Sequence, residues 1–394
     1  MASLRCLPLT VTVAALFMSA PSFALKVLDD QSLSGVTGQA QGLKITQQQE
    51  MVIDSLSYID DDGLGQNGTL GSITLSNIRQ YTPNNRPTIR DFEVKDLGAG
   101  RGKGLIMTSR ELAVYREIGD VAINGKSLGS FGQNNYHFNP GDVIETGIYA
   151  GGSVGNNGIS IDVDVPSSLS YDNWHEINGA KSYVTINYDD PYNQGNGGIF
   201  YKNITVDIVD DGVRVGLPTI SNGFVNQYNA CVGNDQSCRS SGRNNVTHST
   251  AYRNINLLPN GYVLVKNAKG ANEIGLELDM VVRSGSNLDY VYIYGEVGTN
   301  YPSSDVSEMS AHVELKSDLI VSGLRMNVDG ERGLVFDFDN TVPGATVVSG
   351  NIELSDITLL RSDKVSTTPN PVSIGTLDVQ LNLTNNSYVQ IEGY

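Results

Sequence analysis

Basic side chains, histidine and cysteine are all scarce in this 394-residue chain, which holds 26 Lys and Arg against 43 Asp and Glu, four His and three Cys. No basic cluster interrupts the net charge of −17, so a phosphate backbone would be repelled and nucleic-acid binding is not expected. His137, His175, His248 and His312 form no His-x-His, His-Glu-x-x-His or His-x-x-Glu arrangement, so a histidine zinc site lacks its spacing. No phosphate-cradling loop occurs. The stretch Gly98-Ala-Gly-Arg-Gly-Lys-Gly104 lacks the Ser or Thr such a cradle needs. A glycosidase needs two carboxyls across a cleft, and nothing sets a second acid opposite Trp174-His175-Glu176. No catalytic residue is assigned and no enzyme is expected.

Long apolar runs are missing too, except at the start. Arg5, the apolar stretch Leu7 to Met18 and the small residues of Ser22-Phe23-Ala24 form a signal peptide, predicted to end at residue 24. The run is too short for a stable membrane anchor. Cys6 precedes the apolar core, which argues against a lipoprotein, and no second run of membrane length follows. Glu392 and Gln390 occupy lipid-facing positions before the terminal Tyr394, so an integral outer-membrane barrel is not expected either. Removing residues 1–24 takes Arg5 away and leaves Cys231 and Cys238 as the cysteines of the exported chain. In an oxidising compartment these two are expected to form one disulfide, worth roughly 2 to 3 kcal/mol at most for so short a loop. A metal site there would need a second Cys pair or nearby His pair, and neither is present.

What the chain does have is alternation. Ile159–Val165, Ile204–Ile208, Tyr290–Tyr294 and Leu377–Leu383 all place apolar and polar residues in turn, which puts one sheet face inward. Clusters such as Gly65-Gln-Asn-Gly68, Gly155-Asn-Asn-Gly158 and Gln194-Gly-Asn-Gly-Gly198 separate such runs and suit tight turns. The chain is therefore expected to be all-β, a large β-sandwich or β-roll of antiparallel hairpins filling residues 46–394. A seam between two halves is placed near 225–248. Helix is expected only in a short capped element at Asp29–Val36, leading into a strand by residue 45, with Thr108–Ile118 as a second, ambiguous candidate.

A motif recurs three times. Gly71-Ser-Ile-Thr-Leu-Ser-Asn-Ile78, Gly197-Gly-Ile-Phe-Tyr-Lys-Asn-Ile204 and Gly350-Asn-Ile-Glu-Leu-Ser-Asp-Ile357 share Gly-x-Ile-x-x-x-(Asn/Asp)-Ile, each after an acidic segment. Each copy suggests a hairpin whose Asn or Asp permits a bend before the last Ile. The preceding acids, Asp60 and Asp62, Asp189 and Asp190, and Asp337 and Asp339, have the hard oxygen chemistry of calcium ligands. Solvated turn carboxylates are the plainer explanation, and no EF-hand spacing supports calcium. Beyond this optional structural calcium no cofactor is expected.

Twelve residues shortly after the signal segment carry a resemblance. Leu28, Asp29, Asp30, Leu33, Ser34, Val36, Thr37, Gly38 and Gln39 spell Leu-Asp-Asp-x-x-Leu-Ser-x-Val-Thr-Gly-Gln, which resembles the start of FilA-type pilus-system proteins of Gram-negative bacteria. The segments Tyr58–Gly63 and Gly71–Ile78 are similar to sequences of that family as well, whereas Gln41 stands where its common form has Gly. The resemblance implies export, β-rich structure and a part in surface filaments or adhesion, and it supplies no catalytic residue. The expectation is an exported structural or adhesive protein on the cell surface, outer membrane or outside the cell, or else in the periplasm. Its partners would be pilus or surface-assembly proteins, or further copies of itself. The alternative is a secreted module binding carbohydrate or calcium-dependent ligands.

Overall fold

The computed structural model describes residues 42–392 apart from 49, 61–69, 83–86, 97–101, 111–113, 138–140, 155–157, 189–197, 222, 232–245, 268–275, 295–306, 339–341 and 362–371. The signal segment and the short N-terminal helix expected from sequence lie outside the described residues. What is described is all-β and antiparallel, in 26 strands.

Most strands come in successive pairs separated by a short connector. β1 (Leu43–Gln47) is followed by β2 (Glu50–Asp60), β3 (Gly71–Tyr81) by β4 (Thr88–Asp96), and β5 (Lys103–Arg110) by β6 (Tyr115–Ile123) and the small β7 (Lys126–Ser127). Next come β8 (Ser130–His137) and β9 (Ile144–Ala150), β10 (Ile159–Val165) and β11 (Ser170–Ile177), β12 (Ala180–Asn187) and β13 (Ile199–Val209). The chain continues through β14 (Gly212–Gly216), β15 (Thr219–Ser221) and β16 (Phe224–Cys231), then β17 (Val246–Asn256) and β18 (Tyr262–Asn267). β19 (Leu276–Val282) and β20 (Asn287–Tyr294), β21 (Ser307–Leu315) and β22 (Leu319–Asp329), β23 (Gly333–Phe338) and β24 (Thr346–Arg361), and β25 (Val372–Thr384) and β26 (Val389–Ile391) complete it.

Pairing sorts these strands into two ladders. One joins β1, β4, β5, β9, β10, β13, β14, β18, β19, β22, β23 and β26 in that order. The other joins β2, β3, β6, β8, β11, β12, β16, β17, β20, β21, β24 and β25. Each ladder thus holds twelve strands in chain order, and Ile320–Val321 pair with Ser349–Val348 to tie β22 to β24 across the two. The chain is a meander of long strands, each interrupted where it passes from one ladder to the other.

Proline falls at several of these interruptions. Pro83, Pro87, Pro140, Pro166, Pro191, Pro259 and Pro343 lie in sequence between a strand of one ladder and the next strand of the other, whereas the β19–β20 and β21–β22 connectors have none. A proline offers no N–H to a ladder, so the long strands break there. The connectors bond to one another instead. Leu217 N–H donates to Gly261 O at 2.9 Å, and Gly285 N–H to Leu315 O at 2.7 Å, while Leu315 N–H returns to Ser286 O at 2.9 Å. Asp318 accepts from the Ser284 amide at 2.8 Å and from Arg283 Nη1 at 2.7 Å. The Ser284 amide and then the Arg283 guanidinium hold its carboxyl below the usual range.

The main apolar cluster sits on this seam. Val165, Leu169 and Ile199 are buried together, with Ile144, Tyr171, Tyr188 and Phe224 packed around them. Burial, and then the neighbouring Tyr201 and Tyr171, push the Tyr188 hydroxyl well above its ordinary pKa. A second cluster, Val225, Ala251, Val291 and Ile293, lies on three adjacent strands of the second ladder.

The repeated motif keeps its local conformation but not its expected context. Asn77, Asn203 and Asp356 all have positive φ, at 53°, 58° and 52°. Asn and Asp tolerate this region through local hydrogen bonds of their side chains. Asn203 and Asp356 sit where the register shifts, as does Asn254 at φ 49° in a fourth site that the motif search missed. Only the first copy is a hairpin, β2 with β3. In the other two the acidic strand and the following strand belong to different ladders, so the segment between is a seam connector. The bulge at Asn203 also inverts the expected faces: downstream of it Asp207 is buried and Ile208 is 81% exposed. The helix candidate Thr108–Ile118 runs instead through the end of β5 and the start of β6, because cross-strand neighbours outweigh the weak spacing of Leu112 and Tyr115. Around the predicted boundary near 225–248 the second ladder runs on from β12 through β16 and β17 to β20, and residues 42–394 form one compact unit.

Ile199 at the seam is fully buried, so Ile199→Ala should lower unfolding free energy by about 2–5 kcal/mol. Ile208→Ala should change it by no more than about 0.5 kcal/mol. Urea titration of both variants checks this, and equal losses would contradict the assigned faces.

Candidate functional site

Of the acids singled out in the sequence, Asp60 and Asp337 lie among the described residues, and Asp62, Asp189, Asp190 and Asp339 lie outside them. Asp60 is fully buried at the end of β2, where its Oδ2 accepts the Val328 amide at 2.7 Å. Asp337 on β23 stands opposite Arg325 in the ladder and accepts from Asn327 Nδ2 at 3.4 Å. A guanidinium beside a carboxylate competes with any metal ion for it. Among the described residues no three His, Cys, Asp or Glu gather at metal-binding distance. The Cys231 side chain, Cys238 and the motif residues 28–39 are likewise outside what is described.

Asp60 belongs to a clasp between segments far apart in the chain. Asn124 Nδ2 donates to the Asp329 carbonyl at 2.7 Å, its Oδ1 accepts the Ser72 amide at 2.8 Å, and Leu70 bridges to Asp329. Asn124 and Gly125 adopt φ of 51° and 76°, the left-handed pair of a tight hairpin turn, and this turn aims the amide. Gly71 is required at the same place: a Cβ there would lie 1.9 Å from the Val328 carbonyl. The first hairpin of the second ladder is thus fastened to the β22–β23 turn of the first.

The first ladder also carries charge across its strands. Lys266, Glu277, Arg325 and Asp337 stand side by side on β18, β19, β22 and β23, alternating in sign. Lys266 Nζ lies 2.7 Å from Glu277 and 2.6 Å from Asp279, and Arg325 Nε lies 3.5 Å from Glu277. Burial lowers the Lys266 pKa, but the hydrogen bonds to Asp279 and Glu277 more than offset this and raise it overall. Such cross-strand pairs fix register, and removing one partner would strand a buried charge.

Trp174, the sequence's one tryptophan, does not offer an open ring for a sugar. It packs over Gly132, where a Cβ would fall 2.2 Å from the indole, and Lys181 Nζ sits 3.6 Å from its ring centroid. Phe131 and His175 stack beside it at 4.4 Å.

The feature with most capacity for interaction is the pair of terminal strands. No strand among the described residues pairs with the outer side of β2 or of β25. Val52 and Ile59 on β2 are 59% and 64% exposed, and Val372, Ile374 and Leu377 on β25 are 63%, 58% and 52% exposed. Neither strand contains Lys, Arg or Pro, the usual protection of an open edge. Sequence reading missed these edges, because period two marks a strand and says nothing of its neighbours.

Asp207, buried on β13, caps the β9–β10 turn through Ser153 Oγ at 2.8 Å, Ser153 N at 2.9 Å and Val154 N at 3.2 Å. Burial raises its pKa, but these donors and Arg214 outweigh it, so the carboxyl is held below the ordinary range. A depressed folded pKa stabilises the fold above the unfolded value near 4 and loses that contribution as pH falls through the folded value. Asp207→Asn should therefore cost about 1–3 kcal/mol at pH 7, with the difference from wild type shrinking as pH drops below 4. Denaturation at a series of pH values checks this; a constant difference would contradict it.

Residues 1–98, which include β1 to β4 and Asp60, match the family described as a family of unknown function, DUF6160. No curated protein and no solved structure matches the chain.

Proposed function

We propose that this chain is an exported structural or adhesive surface protein of a Gram-negative bacterium, associated with a pilus or fibre system. The observation that carries this reading is an all-β meander whose first and last strands of the second ladder have no outer partner among the described residues, following in sequence a signal segment and a FilA-like motif. Its partners in this reading are other surface-assembly proteins, reached by strand addition. A material role needs no catalytic site. Fractionation and surface proteolysis of intact cells test the reading. Cleavage by external protease is expected, and protein found only free in the periplasm would refute it.

One observation favours the second reading, a carbohydrate-binding module. A cleft of about 520 Å³ at the seam is lined by Asp318, Asn351, Gln380 and Asn382 with Ser317 and Ser349, donors and acceptors suited to sugar hydroxyls. A glycan array with and without calcium discriminates: specific binding lost on Asn382→Ala favours the module, and silence favours the structural role.

A further inference from the structure

We propose that copies of this chain join head to tail, the β25–β26 edge of one pairing antiparallel with the β1–β2 edge of the next. This deepens, and rests on, the fibre-associated reading above. Direction makes the argument. Each ladder holds twelve strands in strict antiparallel succession, so β2 and β25 at its two ends run in opposite senses, as do β1 and β26. A second copy that continues the twisted sheet beyond the first therefore brings β2 alongside β25 and β1 alongside β26. The new contact is antiparallel, and the connectors of the two copies fall in line. An odd number of strands would have produced a parallel contact.

Length and surface agree with direction. β2 has 11 residues and β25 has 13, so the shared edge runs about 37 Å at ~3.4 Å per residue. The small β1 and β26 extend it on the other ladder. With sheets about 10 Å thick, the joined edges would bury roughly 1,000 Å² in total, at the lower bound for a specific interface. Exposed apolar residues stand on both strands, Val52 and Ile59 on β2 and Val372 and Leu377 on β25. Neither strand carries the inward-pointing lysine or proline that keeps sheet edges apart. The two edges differ from each other, so the contact is heterologous, and its open repetition produces a fibre. The net charge of −17 opposes it and is screened by salt, so assembly is expected to strengthen with ionic strength.

Sedimentation of the full chain and of two edge variants tests this. Val52→Lys with Ile59→Lys blocks the β2 edge, and Val372→Lys with Leu377→Lys blocks the β25 edge. All four side chains are more than half exposed, and circular dichroism with thermal melting confirms that each variant is folded. Wild type is expected to form concentration-dependent polymers, and each variant alone to stay monomeric. A one-to-one mixture of the two variants is expected to form dimers and stop there, because both edges left outside the dimer are the blocked ones. A wild-type chain that stays monomeric at several hundred micromolar would overturn the proposal. So would a single variant that dimerises with itself, which would mean like edges pair, or a mixture that stays monomeric. A monomeric wild type exposed on intact cells would refute the edge contact and leave the surface reading standing. An edge-dependent polymer confined to the periplasm would do the reverse.

Discussion

Every backbone N–H and C=O in a sheet needs a partner, and this chain satisfies that demand with its next strand in sequence. The rest of the architecture follows from that constraint. Because each long strand bonds to the strand before and the strand after it, order in space repeats order in the chain through both ladders. Interruptions fall at the connectors between the ladders, and there the connectors bond to one another or to Asp318, Ser286 and Asn385. The apolar cluster around Leu169 and Ile199 collects at the same line. What the rule leaves over is the outer side of the first and last strands.

Polar side chains then select one register among the many that period two alone allows. A slip by one residue would separate Lys266 from Glu277 and remove Arg325 from the neighbourhood of both. It would also pull Asp207 away from the Ser153 turn and Asn124 away from Asp329. The clasp at Asp60 and Asn124 reaches over more than two hundred residues, in contrast with the neighbour-to-neighbour ladders. Its loss would free the first hairpin without breaking any ladder pairing of the inner strands.

Much of this was legible in the sequence, in the places where local chemistry decides the outcome. Ile159–Val165 is a strand with the bounds its alternation marked out, and Asn77, Asn203 and Asp356 take the bend that their recurrence implied. The failures are equally local in origin. Thr108–Ile118 spaces two apolar residues as a helix would, yet its neighbours on β3 and β4 supply ladders that a helix could not match. Ile208 and Asp207 exchange faces because one bulged residue upstream reverses the alternation, and no count of apolar positions reveals a bulge. The seam was written only in part in the proline positions, since the β19–β20 and β21–β22 connectors have none. Asp60 was visible as an acid before a Gly-rich turn, but its partner Val328 is remote in the chain, and only the fold brings them together.

Among the described residues the main-chain ladders end in two open edges, and hydrogen exchange of the dilute, monomeric chain reads this directly. Amides of the inner strands β16, β17 and β20 should be protected together, up to the limit set by global unfolding. Outward-facing amides of β2 and β25 should exchange orders of magnitude faster, then gain protection as concentration rises. Edge amides protected as strongly as the inner strands in the dilute monomer, or inner strands that exchange as fast as the edges, would contradict it.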